Sequence, residues 1–155
     1  MNLKILQLEI IHFDECVDID KKSLNGLWTK PQWEKELTHP KRICLGLIEL
    51  ETKKLLGLCS AWKVMDELNI TFMAVHPMHQ RKRLGTFLLA DLIKRSKSLQ
   101  TNHIHLEVKE NNEPGKAFYK SMGFKTVGKR SNFYKNGSGA LLLNKEIINN
   151  SKIHK

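Results

Sequence analysis

The chain has 155 residues, 41% hydrophobic and 27% charged, with a formal charge of +10, which describes an ordinary soluble globular protein. That length suits one domain, read here as residues 1–148, with a frayed tail over 149–155. No apolar run approaches the roughly 20 residues that a membrane-spanning helix needs. Three cysteines (Cys16, Cys44, Cys59), odd in number and without C-x-x-C spacing, exclude a disulfide framework and a zinc site and point to a reducing cytosol.

In chain order, the opening M-N-L-K-I-L-Q-L-E-I alternates and carries an acid, so Leu3 to Glu9 reads as a strand and not a signal peptide. Phe13, Cys16 and Val17 have helical spacing within Phe13 to Ile19, and Leu24 to Trp28 reads as a loop. Thr29-Lys30-Pro31-Gln32 has the form of a capping box, with Trp28 and Trp33 as a hydrophobic staple across it. The helix it opens runs through Leu37 and stops before Pro40.

Ile43 to Leu50, Lys54 to Val64 and Leu68 to Val75 read as three strands joined by short polar turns. Leu84, Leu88, Leu92, Ile93 and Leu99 give an amphipathic helix over Leu84 to Leu99, with late cations that suit the C-terminal dipole. Ile104 to Val108 is a strand. Pro114 to Met122 is a helix with Asn112 as cap and Gly123 as stop. Phe124 to Val127 and Ala140 to Lys145 form a closing hairpin.

The resulting order is β-α-α-β-β-β-α-β-α-β-β, an α/β (α+β mixed-sheet) fold with helices on both faces. Ligand is expected where the strand ending at Val75 parts from the strand Ile104–Val108. Between Val75 and Leu84 lies H-P-M-H-Q-R-K-R, a turn with three adjacent cations ahead of a helix N-terminus. Converging backbone N–H groups and the helix dipole make such a turn a site for a phosphate-bearing anion. The remaining charge has two readings: approach to nucleic acid, a ribosome or a polyanionic cofactor, or plain composition. Lys far outnumbers Arg and no aromatic-rich basic platform is visible, which favours composition.

Gln80-Arg81-Lys82-Arg83-Leu84-Gly85 resembles the acyl-carrier signature Q/R-x-x-G-x-G/A of the GNAT superfamily of acetyl-CoA-dependent N-acetyltransferases, departing from it at Arg83, where Gly is usual. Leu106 to Arg130 resembles the RimI-type ribosomal-protein alanine N-acetyltransferase pattern, L-E-V-R-x-S-N-x-x-A-x-x-L-Y-x-x-x-G-F. Leu106, Glu107, Val108, Asn112, Tyr119, Gly123 and Phe124 fall in register, as does the Phe133-Tyr134 pair. Asn111 stands where Ser is frequent, the loop Lys135–Gly139 is short, and Gly139 replaces an Asp. The resemblance covers Leu24 to Leu143. It implies the GNAT acyl-CoA N-acyltransferase fold, acetyl-CoA as cosubstrate, and direct acetyl transfer to a protein N-terminal α-amine.

An α-amine has a pKa of about 7.7–8.0 and a lysine amine about 10.4, so deprotonation at neutral pH costs roughly 1 against about 4.5 kcal/mol. One carboxylate acting through water suits the α-amine. Glu107, inside an apolar strand segment whose partial burial would raise its pKa, is the candidate base. Tyr119 is the candidate acid, since a phenol stays protonated at pH 7 and can donate to a thiolate. The resemblance assigns thioester polarisation to backbone N–H groups of Met73, Ala74 and Val75. Gln80, Arg81, Lys82, Arg83, Leu84, Gly85 and Thr86 would hold the pyrophosphate, and Asn112 the cofactor arm. Trp28 and Tyr134 are candidates for the amine-substrate groove.

His103 and His105 share a strand face, yet no carboxylate or cysteine at ligand spacing accompanies them, so no metal is expected. The expected substrate is the N-terminal alanine of a small-subunit ribosomal protein, in the cytoplasm, with a monomer or weak homodimer as enzyme and neither membrane nor nucleic acid required. Two alternatives stand: a small-amine acetyltransferase (polyamine or aminoglycoside) using Asp14, Glu15, Asp18 and Asp20, and a non-catalytic CoA-sensing module.

Overall fold

Thr29 opens a helix in the way its spacing to Gln32 predicts. Its hydroxyl accepts from the Gln32 N–H at 3.2 Å, and the Gln32 side chain accepts from the Thr29 N–H at 2.7 Å. The computed structural model describes residues 2–80, 83–133 and 137–147. Its elements are β1 (Leu3–Gln7), α1 (Phe13–Leu24), α2 (Lys30–Thr38), β2 (Arg42–Glu49), β3 (Leu55–Val64), β4 (Glu67–Val75), α3 (Leu84–Ser98), β5 (His103–Lys109), α4 (Glu113–Ser121), β6 (Lys125–Arg130) and β7 (Ala140–Glu146). Strand order is β1-β2-β3-β4-β5-β7-β6 in one mixed sheet, the expected class.

Two boundaries move by three residues or more. The first helix continues to Leu24, and Asn25, in the left-handed region at φ 57°, ends it with its N–H on the Asp20 carbonyl. β6 starts one residue late and reaches Arg130, because its ladder on β7 runs to Arg130 opposite Ala140. Arg81, Lys82, Tyr134 and the 149–155 tail lie outside the described residues.

The chain divides into two compact units, Met1–Trp62 with Thr71–Leu92, and Lys63–Ile70 with Ile93–Lys155. In the first, β2 lies antiparallel between β1 and β3, with Leu3 opposite Glu49 and Arg42 opposite Trp62. Burial is continuous over Cys44–Ile48 and Leu55–Ala61, so both faces of these strands are covered. One face takes Cys16 and Ile19 of α1 and Trp33 and Leu37 of α2 against Leu58, Phe72 and Ala74. Trp28, Trp33 and Phe72 form an aromatic trio with centroids 4.7 to 5.0 Å apart. The Trp28–Trp33 contact is the predicted staple.

Asp20, 1% exposed, is the polar hub of this unit. Its carboxylate accepts from the Leu27 N–H (2.7 Å), the Trp28 N–H (3.0 Å) and the Trp33 indole N–H (2.9 Å). A buried acceptor of this kind satisfies donors that would otherwise be orphaned at the α1–α2 turn.

In the second unit β7 is antiparallel to both β5 and β6, with Glu107 opposite Leu142. The base of β4 runs parallel to β5, Glu67–Asn69 alongside His103–His105. α4 starts at the Asn112 cap and is followed by Gly123 at φ 92°, the predicted stop.

Candidate active site

In the first unit the chain leaves β4 under tight control. The Val75 carbonyl accepts from the Gln80 side-chain amide and from the Ser23 hydroxyl, each at 3.1 Å. The His76 N–H donates to the Leu56 carbonyl at 2.7 Å, and its ring Nδ1 accepts from the Met78 N–H at 3.2 Å. Burial, with Lys22 and His79 nearby, lowers the His76 pKa from its ordinary value and favours the neutral ring.

Arg83 has φ 60°, and its carbonyl accepts the Phe87 N–H at 3.1 Å, the first bond of α3. Arg83 is therefore the N-cap residue, and the N–H groups of Leu84, Gly85 and Thr86 have no carbonyl within the helix to bond. These are three of the predicted anion-binding residues. The left-handed backbone at position 83 also explains why Gly is usual there: a Cβ costs about 1 kcal/mol in that region. Met73 and Val75 are half-buried and Ala74 is buried. Trp28 is half-buried on the core trio.

In the second unit Glu107 sits at an exposed position of β5 between the buried Leu106 and Val108. Its side chain is 32% exposed, and its Oε1 lies 3.3 Å from Arg130 Nη1. The expectation of simple partial burial missed this ion pair. Arg130 joins the candidate site through the tertiary structure, since only the β5-β7-β6 registers bring the two residues together. Arg130 also stacks over Phe133, 5.4 Å from the ring centroid.

One residue row further, Glu110 accepts from Lys129 (2.7 Å) and from the Gly139 N–H (3.1 Å), in that order the main causes that hold its carboxyl below the usual range. A Cβ at Gly139 would lie 2.9 Å from the Arg130 carbonyl and 3.3 Å from the Glu110 carboxyl carbon. An Asp here, as in the pattern, would press a second carboxylate on Glu110.

Tyr119 is half-buried on α4, edge-on to Phe124 at 5.7 Å. Asn112 uses its Oδ1 to cap α4 through the Gly115 N–H at 3.0 Å. A Cβ at 115, where the pattern has Ala, would lie 2.5 Å from the Asn112 amide nitrogen. His103 and His105 stack at 5.8 Å and share the Asn144 amide. Glu67 reaches His105 Nε2 at 3.3 Å, a carboxylate neighbour the sequence reading did not anticipate, brought in by the β4–β5 pairing. Among the described residues no three such donors converge on a metal position.

An acetyltransferase of the GNAT family is what the fold and these residues define: the model of that family matches residues 12–124, and the chain belongs to it. The [ribosomal protein bS18]-alanine N-acetyltransferase of Haemophilus influenzae is 32% identical over 135 residues, covering 87% of this chain and 90% of that one. The crystal structure of the ribosomal-protein-S18-alanine N-acetyltransferase from Escherichia coli shares the fold, with a TM-score of 0.87 at 24% identity over 94% of each chain. Arabidopsis thaliana NAA60 in complex with acetyl-CoA superposes with a TM-score of 0.84 at 13% identity, covering 94% of this chain and 99% of that one.

Proposed function

We propose that this chain moves acetyl from acetyl-CoA to the N-terminal alanine of a bS18-type small-subunit ribosomal protein, in the cytoplasm. The observation that carries the reading is the near end-to-end similarity to the H. influenzae enzyme. The first-turn amides of α3, the positive end of its dipole and the Arg83 guanidinium form a set that fits a pyrophosphate.

In the proposed reaction Glu107 takes a proton from the α-ammonium group, directly or through one water, and leaves the neutral amine. The amine nitrogen then attacks the thioester carbon, and N–H groups among Met73–Val75 stabilise the oxyanion. The C–S bond breaks, the Tyr119 hydroxyl gives its proton to the departing thiolate, and the second proton shed by the acetylated nitrogen restores the phenol. Arg130 holds the Glu107 carboxylate in place. Cys16, Cys44 and Cys59 are all buried. Burial pushes the Cys44 thiol up to about 12 and the Cys16 thiol higher still, which argues against an acyl-cysteine step.

Three of the four acids that a polyamine site would need are engaged elsewhere. Asp20 is the hub of the α1–α2 turn, Glu15 accepts from the Leu55 N–H at 3.1 Å, and Asp18 pairs with Lys22 at 2.9 Å. This favours a peptide over a polycation. Mass spectrometry of ribosomal-protein N-termini from cells with and without the gene is the test. A bS18 N-terminus equally acetylated in both overturns the reading.

A further inference from the structure

The second unit carries a cavity of about 490 Å³ that the proposed chemistry does not use. It lies beside the C-terminal half of α4. Phe124 and Leu143 supply apolar lining, and Lys116, Lys120 and Lys125 supply cations. Lys145 lies two residues beyond Leu143 on β7, hence on the same face. Its ammonium sits over Gly123, where a Cβ would meet Nζ at 2.5 Å. Gly123 therefore both supplies the left-handed turn and leaves room for a cation.

The charges here are not balanced as they are at the far end of β6. Lys129 is matched by Glu110 and Arg130 by Glu107. At the cavity only Lys116 has a carboxylate, Glu113 at 2.8 Å. Among the described residues no ion pair reaches Lys120, Lys125 or Lys145. Like charges gathered without acids repel one another, and a bound anion relieves that repulsion. Lysines dispersed for solubility would be interspersed with acids instead.

We propose that this groove binds the phosphate backbone of RNA. Lys is a point-charge phosphate binder with no geometric demand on the base, and no exposed aromatic lines the groove, so the contact is to phosphates and independent of sequence. The +10 charge of the chain would draw a polyanion in at long range. The choice of RNA over another polyanion rests on the ribosomal reading above. The unbalanced charge of the groove does not. Such a contact would hold the enzyme beside a substrate that lives among RNA.

The test is fluorescence anisotropy of a labelled single-stranded RNA with the full chain across a salt series, without acetyl-CoA. The triple variant K120Q/K125Q/K145Q is expected to bind about tenfold more weakly at low salt and to flatten the log–log salt slope by about 2. A control with the same loss of charge in the first unit, K4Q/K30Q/K35Q, should stay within about twofold of wild type. Should the triple variant not fold, K120Q/K125Q keeps the comparison at exposed positions. Equal weakening by groove and control variants reduces the effect to bulk charge and overturns the proposal. So does absence of RNA binding, or lysine-dependent binding of ATP or inorganic phosphate without RNA. Peptide acetylation in RNA-free buffer, unchanged in the groove variants, separates this result from the fate of the acetyltransferase reading.

Discussion

The Gln80 side chain and the Val75 carbonyl are joined at 3.1 Å, which ties the residue just ahead of the three cations to the last residue of β4. One hydrogen bond thus fixes the distance between the proposed oxyanion donors and the proposed pyrophosphate loop. Gln80→Leu removes a bond worth about 1 kcal/mol, so the KM for acetyl-CoA should rise about five- to tenfold. Steady-state kinetics with acetyl-CoA and then peptide as the varied substrate will show this, the peptide KM staying put.

Glu107→Gln and Tyr119→Phe should each lower kcat about 100-fold or more, as expected for loss of a general base or acid. Calorimetric binding of acetyl-CoA should persist in both. Arg130→Leu, which frees the Glu107 carboxylate without removing it, should lower kcat by a smaller factor. Full activity in Glu107→Gln would transfer the base role to another group.

Arg83 occupies a conformation that favours glycine. Relief of that strain makes Arg83→Gly stabilising by up to about 1 kcal/mol, whereas the β-branched Arg83→Val should cost about 1–2 kcal/mol. Urea midpoints at constant m-value will measure both. If charge at position 83 also aids the pyrophosphate, Arg83→Gly binds acetyl-CoA more weakly while being the more stable protein.

Asp20→Ala leaves two backbone N–H groups and an indole N–H without their shared acceptor. Hydrogen bonds to a buried charge contribute about 1.5–3 kcal/mol each, so a loss of about 3 kcal/mol or more is expected in urea unfolding. A shift in tryptophan fluorescence should accompany it, because Trp28 and Trp33 depend on the same carboxylate.

The buried thiols set an alkaline limit. Burial pushes Cys44 up to about 12, and Cys16 moves in the same direction. In the unfolded chain a thiol ionises near 8.5. Below that pH both states hold the proton and the thiols contribute no pH dependence. Above it the unfolded state binds fewer protons than the native state, so stability falls with rising pH by up to about 1.4 kcal/mol per unit for each thiol. The fall continues until the native thiol itself ionises near 12. Denaturation between pH 8 and 11 should show this slope, and C16A/C44A should flatten it.

Much of the fold was legible because its signals are local. Thr29 and Gln32 are three residues apart, and both hydrogen bonds of the capping box follow from that spacing. The helix over Leu84–Ser98 is legible from its buried leucines at 84, 88 and 92, and Asn112 and Gly123 mark the two ends of α4. The extent of β6 was not legible: Lys125–Arg130 has no alternation, and only pairing with β7 defines it.

What the sequence by itself determined was every element, their order, and the two blocks of residues that carry the family likeness, since propensity, capping and hydrophobic period act over a few residues. The tertiary structure decided which charges meet. It set Arg130 on Glu107, Lys129 on Glu110 and Glu67 on His105, and it gathered Lys120, Lys125 and Lys145 around one cavity. The ion pairs depend on strand register between segments distant in the chain, and a register that shifts by one residue turns a strand's side chains to the other face.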